Sequence, residues 1–126
     1  MKKYYFRKEE RLCSVKQIEQ LYSQGSSFSF YPFRLTYSTI PEQEVPAKIV
    51  ISIPKRKFKK AVDRNTLKRR IKEVYRHSKV DFLYPQLLEK NIKIQILIIY
   101  IGNEINTSIN IRKKLNLALE RLVNKL

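Results

Sequence analysis

The sequence contains few of the residues from which protein active sites and metal sites are usually built. Cys13 and His77 are its only cysteine and histidine, and tryptophan is absent. A single cysteine excludes an intrachain disulfide and a cysteine-based metal site. Metal binding through other ligands would need a carboxylate cluster, which the sequence does not show. We expect a reducing environment and a cytoplasmic location.

Long apolar segments are also missing. The longest, residues 94–101, contains Gln95 and is far too short to cross a bilayer. Residues 1–13 mix Lys, Arg and Glu with aromatic residues, without the apolar stretch of a secretory signal. A Ser/His/Asp or Cys/His set, a Gly-rich phosphate loop and paired catalytic carboxylates are absent as well. We therefore expect neither a membrane protein nor a protein-based catalytic centre.

Acidic residues are outnumbered by basic ones, 11 to 27, and the formal net charge is +16. A domain of this charge repels its own copies and attracts polyanions, which here means RNA, DNA or an anionic membrane surface. Hydrophobic residues make up 43% of the chain, with 8 Tyr and 6 Phe. That is enough for one core, so we predict one folded domain over residues 1–126, of which residues 1–13 form a flexible basic arm.

Apolar spacing in the first half predicts a helix followed by strands. Ser14 and Gln17 form a capping pattern for a helix over residues 15–24, which Gly25 ends. The apolar stripe of this helix is Val15, Ile18, Leu21 and Tyr22. Next come extended chain broken at Pro32, a strand in which Phe33, Leu35 and Tyr37 alternate with polar residues, a turn over residues 40–46 and a strand over residues 47–53.

The second half continues with a helix from Val62, a short helix over residues 80–90 interrupted near Pro85, and a strand over residues 92–101. A final helix, capped by Thr107 or Ser108, carries the stripe Ile111, Leu115, Leu119, Leu122 and Leu126. This order predicts an α+β fold, a two-layer α/β sandwich with helices on one small sheet.

Residues 54–76 are the most basic segment, with Lys or Arg at eleven positions. On a helix one stripe faces the core: Leu67, Ile71 and Val74. Another face gathers Asn65, Lys68, Arg69, Lys72 and Arg76. Like charges four residues apart repel by about a few tenths of a kcal/mol per pair, which favours a phosphate-bearing partner over a merely solvated face. Asn65 adds an amide that can reach a base edge or a sugar hydroxyl.

The segment AVDRNTLKRRIKE, residues 61–73, resembles the signature of the bacterial ribonuclease P protein component. The matched positions are Arg64-Asn65, Lys68-Arg69 and Lys72-Glu73. The resemblance extends over about residues 8–124, because the first helix, the strands and the terminal helix also correspond. The chain departs from the family pattern at four places. Thr66 and Lys72 stand where the family usually has Arg, and Ile18 stands at a position of the first helix that is often aromatic. The glycine that the family commonly has before the signature helix is absent from the segment KRKFKK, residues 55–60.

This resemblance implies the small subunit of the ribonucleoprotein that removes the 5′ leader from precursor tRNA. The catalytic RNA would carry the chemistry with Mg²⁺, so we expect no catalytic residue or metal site in the protein. The implied fold is ribosomal-protein-like, a mixed sheet with a left-handed β-α-β crossover of a hand that is otherwise rare. The implied partners are ribonuclease P RNA and precursor tRNA, with no membrane and no protein partner required.

Two binding surfaces follow from the resemblance. The signature helix and its lead-in would bind the catalytic RNA through Lys55, Arg56, Arg64, Asn65, Lys68, Arg69, Lys72 and Arg76. A cleft between the first helix and the open face of the sheet would hold the leader, with Ile18, Tyr22, Phe33, Arg34, Thr36 and Ser52 as candidates. Aromatic stacking on unpaired bases contributes about 1–3 kcal/mol per base and accepts any sequence. Tyr22 and Phe33 are equally well interpreted as core residues.

Other functions remain open on charge and fold. A non-catalytic RNA-binding protein of ribosomal or assembly-factor type has the same properties, and only the signature between its strands argues against it. A basic helix could also enter a DNA major groove, but no short helix directly precedes this one. A membrane-surface role is least favoured, because the core needs the apolar face of the basic helix.

Overall fold

Four strands form one mixed sheet in the computed structural model, which describes residues 4–126. They are β1 Ser26–Phe30, β2 Phe33–Thr39, β3 Ala47–Ser52 and β4 Ile94–Tyr100. Across the sheet the order is β1-β2-β4-β3; β2 pairs antiparallel with β1 and β4, and β3 runs parallel to β4. The predicted α+β class and the mixed sheet are confirmed, whereas the hand of the crossover from β3 to β4 stays a prediction.

The helices lie on both faces of this sheet. They are α1 Val15–Gln24, α2 Ala61–Ser78, α3 Tyr84–Lys90 and α4 Ser108–Lys125, and a π-helical turn, Lys79–Leu83, joins α2 to α3. Ser14 caps α1 by accepting from the Gln17 N–H at 3.3 Å, and Thr107 caps α4 by accepting from the Asn110 N–H at 3.2 Å. None of the described helices is long and apolar enough to cross a membrane.

The alternation of β4 separates two cores. Its even-numbered residues pack with α2 and α4 on one face of the sheet, while Leu97 and Ile99 pack with α1 on the other. The predicted stripes of α2 and α4 are buried in the larger core, except that Leu126 is only partly buried. Because β4 is covered on both faces, its sequence shows an apolar run rather than alternating polarity.

Two helix predictions were wrong in detail. Val15 and Tyr22 are 69% and 71% exposed, because α1 covers only part of its sheet face, and Leu21 is the residue it buries. Pro85 does not interrupt the helix that contains it. It lies in the first turn of α3, directly after the π-helical turn Lys79–Leu83, so the chain stays helical through this proline.

The prediction of a flexible arm was wrong for residues 4–13, here called the strap; residues 1–3 lie outside the described residues. The Leu12 N–H donates to the Ile49 carbonyl at 2.8 Å, which attaches the strap to the outer edge of β3. Glu10 is buried and paired with Lys79, and the half-buried Phe6 ring packs against the larger core. Four residues of the strap are buried or half-buried, namely Tyr4, Phe6, Glu10 and Leu12. They stand among many charged residues without a periodic spacing, so the sequence pattern did not indicate that the strap packs.

Candidate nucleic-acid interface

The basic face of α2 is turned to solvent. Leu67, Ile71, Val74 and Tyr75 are buried on the opposite side and fix the rotation of the helix. The residues that this rotation exposes are Asn65, Lys68, Arg69 and Lys72. Lys55 and Arg56, in the loop leading to α2, are exposed as well. The structure thus brings six of the eight predicted residues to the surface with exposed side chains.

Arg64 and Arg76 have intrachain partners. Arg64 Nη1 donates to the carbonyls of Phe58 at 2.7 Å and Lys59 at 2.9 Å, which fixes the loop before α2. Arg76 donates from Nε and Nη2 to the Glu73 carboxylate, and from Nη1 to the Tyr4 carbonyl of the strap. All three nitrogens of Arg76 are therefore used within the chain. These bonds hold the strap and Glu73 in place. The predicted RNA contact of Arg76 stays a prediction.

A cleft of about 420 Å³ opens on the sheet face beside α1. It is lined by Tyr22, Ser27, Arg34, Thr36, Pro54, Arg56, Lys57, Ile99 and Ile101. We call it the open-sheet cleft. The alternation of β2 places Arg34 and Thr36 on this face. Its wall therefore joins an exposed aromatic ring to three cationic side chains over a partly apolar floor.

The structure brings together half of the predicted leader-binding residues. Tyr22, Arg34 and Thr36 line the open-sheet cleft. Ile18 of α1 packs against the smaller core, and Ser52 lies on β3 but does not line the cleft. For Phe33 the structure favours the alternative interpretation as a core residue, because its side chain is fully buried in the larger core. Its ring centroid lies 5.8 Å from that of Tyr100, on the opposite face of the sheet from Arg34.

Sequence reasoning missed Ser27 and Lys57. The hydroxyls of Ser27 and Thr36 form a 2.8 Å hydrogen bond between paired positions of β1 and β2. Lys57 Nζ donates to the Ile101 carbonyl at 2.6 Å and ties the loop before α2 to the end of β4. Predicting the Ser27–Thr36 contact would require the register of the β1-β2 hairpin, and predicting the Lys57–Ile101 contact would require the parallel pairing of β3 with β4. Neither pairing can be read from the local sequence.

An acidic groove occupies the other end of the same sheet face. It measures about 330 Å³, and its polar lining includes Glu9, Glu42, Glu44, Lys48 and the buried amides of Gln43 and Gln95. Its three carboxylates outnumber its single ammonium group. Gln95 lies at the start of β4 and Ile99 of the open-sheet cleft lies near its end. At about 3.3 Å per residue, these two positions are roughly 13 Å apart. The face is therefore acidic at one end and basic at the other.

Within residues 4–126 no group of three or more His, Cys, Asp and Glu side chains is placed to hold a metal ion. Two carboxylates have altered acidity instead. Burial disfavours the charge of Glu10, but hydrogen bonds from Lys79, Tyr84 and the Arg7 N–H outweigh it and lower its pKa. The hydrogen bond from Arg76 lowers the pKa of Glu73.

Comparison with known families identifies this combination of fold and surfaces. The family model Ribonuclease P matches residues 6–123, nearly the whole chain. The chain belongs to the ribonuclease P protein family. It is thereby a subunit of the ribonuclease P endoribonuclease, a tRNA-processing enzyme, and its partner is ribonuclease P RNA.

Individual members of the family support this assignment. The chain is 29% identical over 116 residues to the ribonuclease P protein component of Porphyromonas gingivalis, covering 91% of this chain and 84% of that protein. It is 41% identical over 69 residues to the ribonuclease P protein component of Picosynechococcus, covering 55% and 58%.

Solved structures of the family have the same fold. The Staphylococcus aureus RNase P protein superposes with a TM-score of 0.70 at 21% identity, covering 90% of this chain and 94% of that chain. The Thermotoga maritima RNase P protein gives 0.67 at 21% identity, covering 89% and 96%.

Proposed function

We propose that the chain binds ribonuclease P RNA through the basic face of α2 and holds the 5′ leader of precursor tRNA in the open-sheet cleft. The proposal that the cleft holds the 5′ leader is carried by the position of the exposed Tyr22 ring. It shares one cleft with Arg34, Arg56 and Lys57. Stacking and phosphate neutralisation are the two interactions that single-stranded RNA offers irrespective of its sequence.

The lining of the cleft favours unpaired RNA over a duplex. A base must leave its helix before it can stack on an aromatic ring, and paired bases present only groove edges and phosphates. Each stacked base contributes about 1–3 kcal/mol. The hydroxyls of Ser27 and Thr36 add hydrogen-bonding capacity beside the ring without selecting one base. A leader would thus give precursor tRNA more affinity than mature tRNA.

The α2 face supplies affinity for the larger RNA. Lys68, Arg69 and Lys72 carry no intrachain ion pair among the described residues, so their charges are available to phosphates. Neutralising phosphates releases condensed counterions, which makes such binding strong at low salt and weak at high salt. Arg69 can engage a phosphate bidentately, and the lysines act as point charges.

The chemistry in this proposal belongs to the RNA, which would hold Mg²⁺ ions for metal-assisted hydrolysis of the phosphodiester. The chain contributes binding energy and positive potential, with no side chain acting on the scissile phosphate. In this proposal, removal of the leader takes place in the cytoplasm and requires neither a membrane nor a further protein partner.

Cleavage of precursor tRNA at low Mg²⁺ by a bacterial ribonuclease P RNA tests the proposal. We expect the wild-type chain to restore cleavage at the mature 5′ end. The Lys68→Ala/Lys72→Ala variant should need about tenfold more protein, since each charge neutralises about one phosphate. The Lys90→Ala/Lys113→Ala variant removes the same charge from exposed residues outside both surfaces and should match wild type. Binding without stimulation would refute the leader-holding role.

A further inference from the structure

A second groove lies on the other side of the basic helix, between the strap and α2. Its volume is about 220 Å³, and it is lined by Phe6, Arg11, Leu12, Cys13, Ile49, Val50, Ile51, Lys68 and Lys72. We call it the strap groove. Three cations therefore surround a floor that is otherwise apolar. It shares no lining residue with the open-sheet cleft.

The strap groove exists because the strap is fixed on both sides of it. Upstream of Arg11, Glu10 is buried against Lys79 and accepts from the Tyr84 hydroxyl. Downstream, the Leu12 N–H is bonded to the Ile49 carbonyl. Arg11 is held between these two points, with its Cζ 5.2 Å from the centroid of the Phe6 ring. Its guanidinium thus lies over an aromatic ring and presents a flat cationic surface.

The floor of the groove also contains backbone hydrogen-bonding groups. The Ile49 carbonyl points to the outer edge of β3, where it accepts from the Leu12 N–H. Backbone groups alternate in direction along a strand, so the N–H and C=O of Ile51 point to the same outer edge. The strap turns into α1 after Cys13 and does not pair with this position. A donor and an acceptor therefore stand side by side next to the apolar floor.

We propose that the strap groove binds one unpaired nucleotide of the RNA partner. The base stacks on the Arg11 guanidinium, as bases do on arginine planes, and its edge bonds to the Ile51 backbone. Lys68 and Lys72 overhang the groove from α2 and take the adjoining phosphate. This inference rests on the proposed binding of ribonuclease P RNA to the α2 face. It adds that the RNA inserts a flipped-out nucleotide beside that face.

The composition of the groove argues for a nucleotide over simpler anions. Inorganic phosphate would use the three cations but leave the apolar floor and the strand edge without partners. A duplex would reach the lysines but could not place a base edge on a sheet edge. A nucleotide satisfies the charges, the apolar floor and the backbone pair together.

Photo-crosslinking from Cys13 tests the proposal, because the only cysteine of the chain lies in the groove lining. The thiol is alkylated with an azidophenacyl group and the protein is assembled with ribonuclease P RNA. We expect crosslinks at one unpaired nucleotide, reduced at least about fivefold by Arg11→Gln, a loss that matches the weaker end of base stacking. Lys8→Gln removes one charge from an exposed strap residue outside the lining and should leave them unchanged.

Crosslinks spread over paired nucleotides, or insensitive to Arg11→Gln while the holoenzyme still assembles and cleaves, would overturn the strap-groove proposal alone. Failure of the unmodified chain to bind the RNA at all would overturn the proposed function instead.

Amide chemical shifts provide a second measurement that does not need the modified thiol. Adenosine 5′-monophosphate should shift the Ile51 and Cys13 amides with a Kd about tenfold or more below that of inorganic phosphate, since it adds a stacked base. Equal affinity for the two ligands, or equal affinity for an oligoglutamate peptide, would contradict a nucleotide site.

Discussion

Glu10 and Lys79, 69 residues apart in sequence, form an ion pair in which both side chains are buried. The same carboxylate accepts from the Tyr84 hydroxyl and from the Arg7 N–H, the latter at 2.7 Å. The Lys79 ammonium also lies over the rings of Phe6 and Tyr84. This cluster fixes the strap to the junction of α2 and α3, and so sets the position of every basic residue that the strap carries.

Removing one partner of this pair should leave an uncompensated buried charge. We expect Glu10→Ala to lower the free energy of unfolding by about 3–5 kcal/mol. Urea denaturation followed by circular dichroism measures the change. The exposed neighbour is the control: Glu9→Ala should stay within about 0.5 kcal/mol of wild type. Equal effects of the two substitutions would show that the pair does not hold the strap.

The pH dependence of stability has a definite sign at Glu10. Its pKa in the folded protein lies below the ordinary value of 4.5, so ionisation favours folding. The contribution is complete above that ordinary value and is lost as the pH falls through the lower pKa of the folded state. The stability difference between wild type and Glu10→Gln should therefore shrink below about pH 4.5 in denaturation curves at a series of pH values. A constant difference down to acid pH would contradict this.

Tyr22 should discriminate precursor from mature tRNA. We expect Tyr22→Ala to weaken holoenzyme binding to leader-bearing tRNA by about 1–3 kcal/mol, the contribution of one stacked base. Affinity for mature tRNA should not change, because it has no leader to stack. Tyr22→Phe keeps the ring and should bind as wild type does. An equal loss of affinity for precursor and mature tRNA would show that Tyr22 does not contact the leader.

Gly25 is required by a close approach between α1 and β2. A Cβ at this position would lie 2.6 Å from the Leu21 carbonyl oxygen and 2.9 Å from Thr36 Cγ2. Gly25→Ala should therefore push the end of α1 away from the sheet and destabilise the fold by about 1–3 kcal/mol. The same displacement moves Tyr22 away from Arg34, so leader affinity should fall as well. Thermal unfolding and leader-dependent binding test the two effects, and an unchanged leader affinity would contradict the second.

Two basic residues of α2 should behave differently with salt. Lys72→Ala should reduce the slope of log K for RNA against log salt by about 0.7–0.9, the value of one phosphate contact. Arg76→Ala should leave that slope unchanged and lower stability, because Arg76 is bonded to Glu73 and to the strap. Filter binding over a salt series, with urea denaturation of both variants, separates these roles. A smaller salt slope for Arg76→Ala than for wild type would show that Arg76 contacts a phosphate of the RNA.

The sequence predicted the elements that repeat at a regular spacing. The stripe of Leu67, Ile71 and Val74 fixed the rotation of α2, and with it the exposure of Lys68 and Lys72. Strand alternation in β2 likewise separated Phe33 from Arg34. Two residues on opposite faces cannot both line one cleft, so alternation alone allowed only one of them to contact the leader. Because α2 and α4 pack together on the face that carries Phe33, that residue is buried and Arg34 is the one that reaches the open-sheet cleft.

Long-range contacts account for the remaining differences. Arg76 appears equivalent to Lys72 on a helical wheel, but it meets Glu73 on its own helix and the Tyr4 carbonyl from the other end of the chain. Lys79 and Glu10 are ordinary surface residue types that become buried only when the strap packs against α3. The pair Arg76–Glu73 is three residues apart and visible in the sequence, but no local pattern indicates the contacts Arg76–Tyr4 and Lys79–Glu10, because each joins segments about 70 residues apart.

The acidic groove at the far end of the open sheet face creates a charge gradient along this face, from acidic at one end to basic at the other. A polyanion approaching this face is attracted toward Arg34 and repelled from Glu42 and Glu44, so the field exerts a torque on the protein before contact. Encounters are therefore biased toward one orientation along β4. In the proposed leader complex, the same gradient opposes extension of an RNA strand from the open-sheet cleft toward Glu42 and Glu44. The proposal therefore includes a short bound stretch of nucleotides whose length is set by electrostatic repulsion.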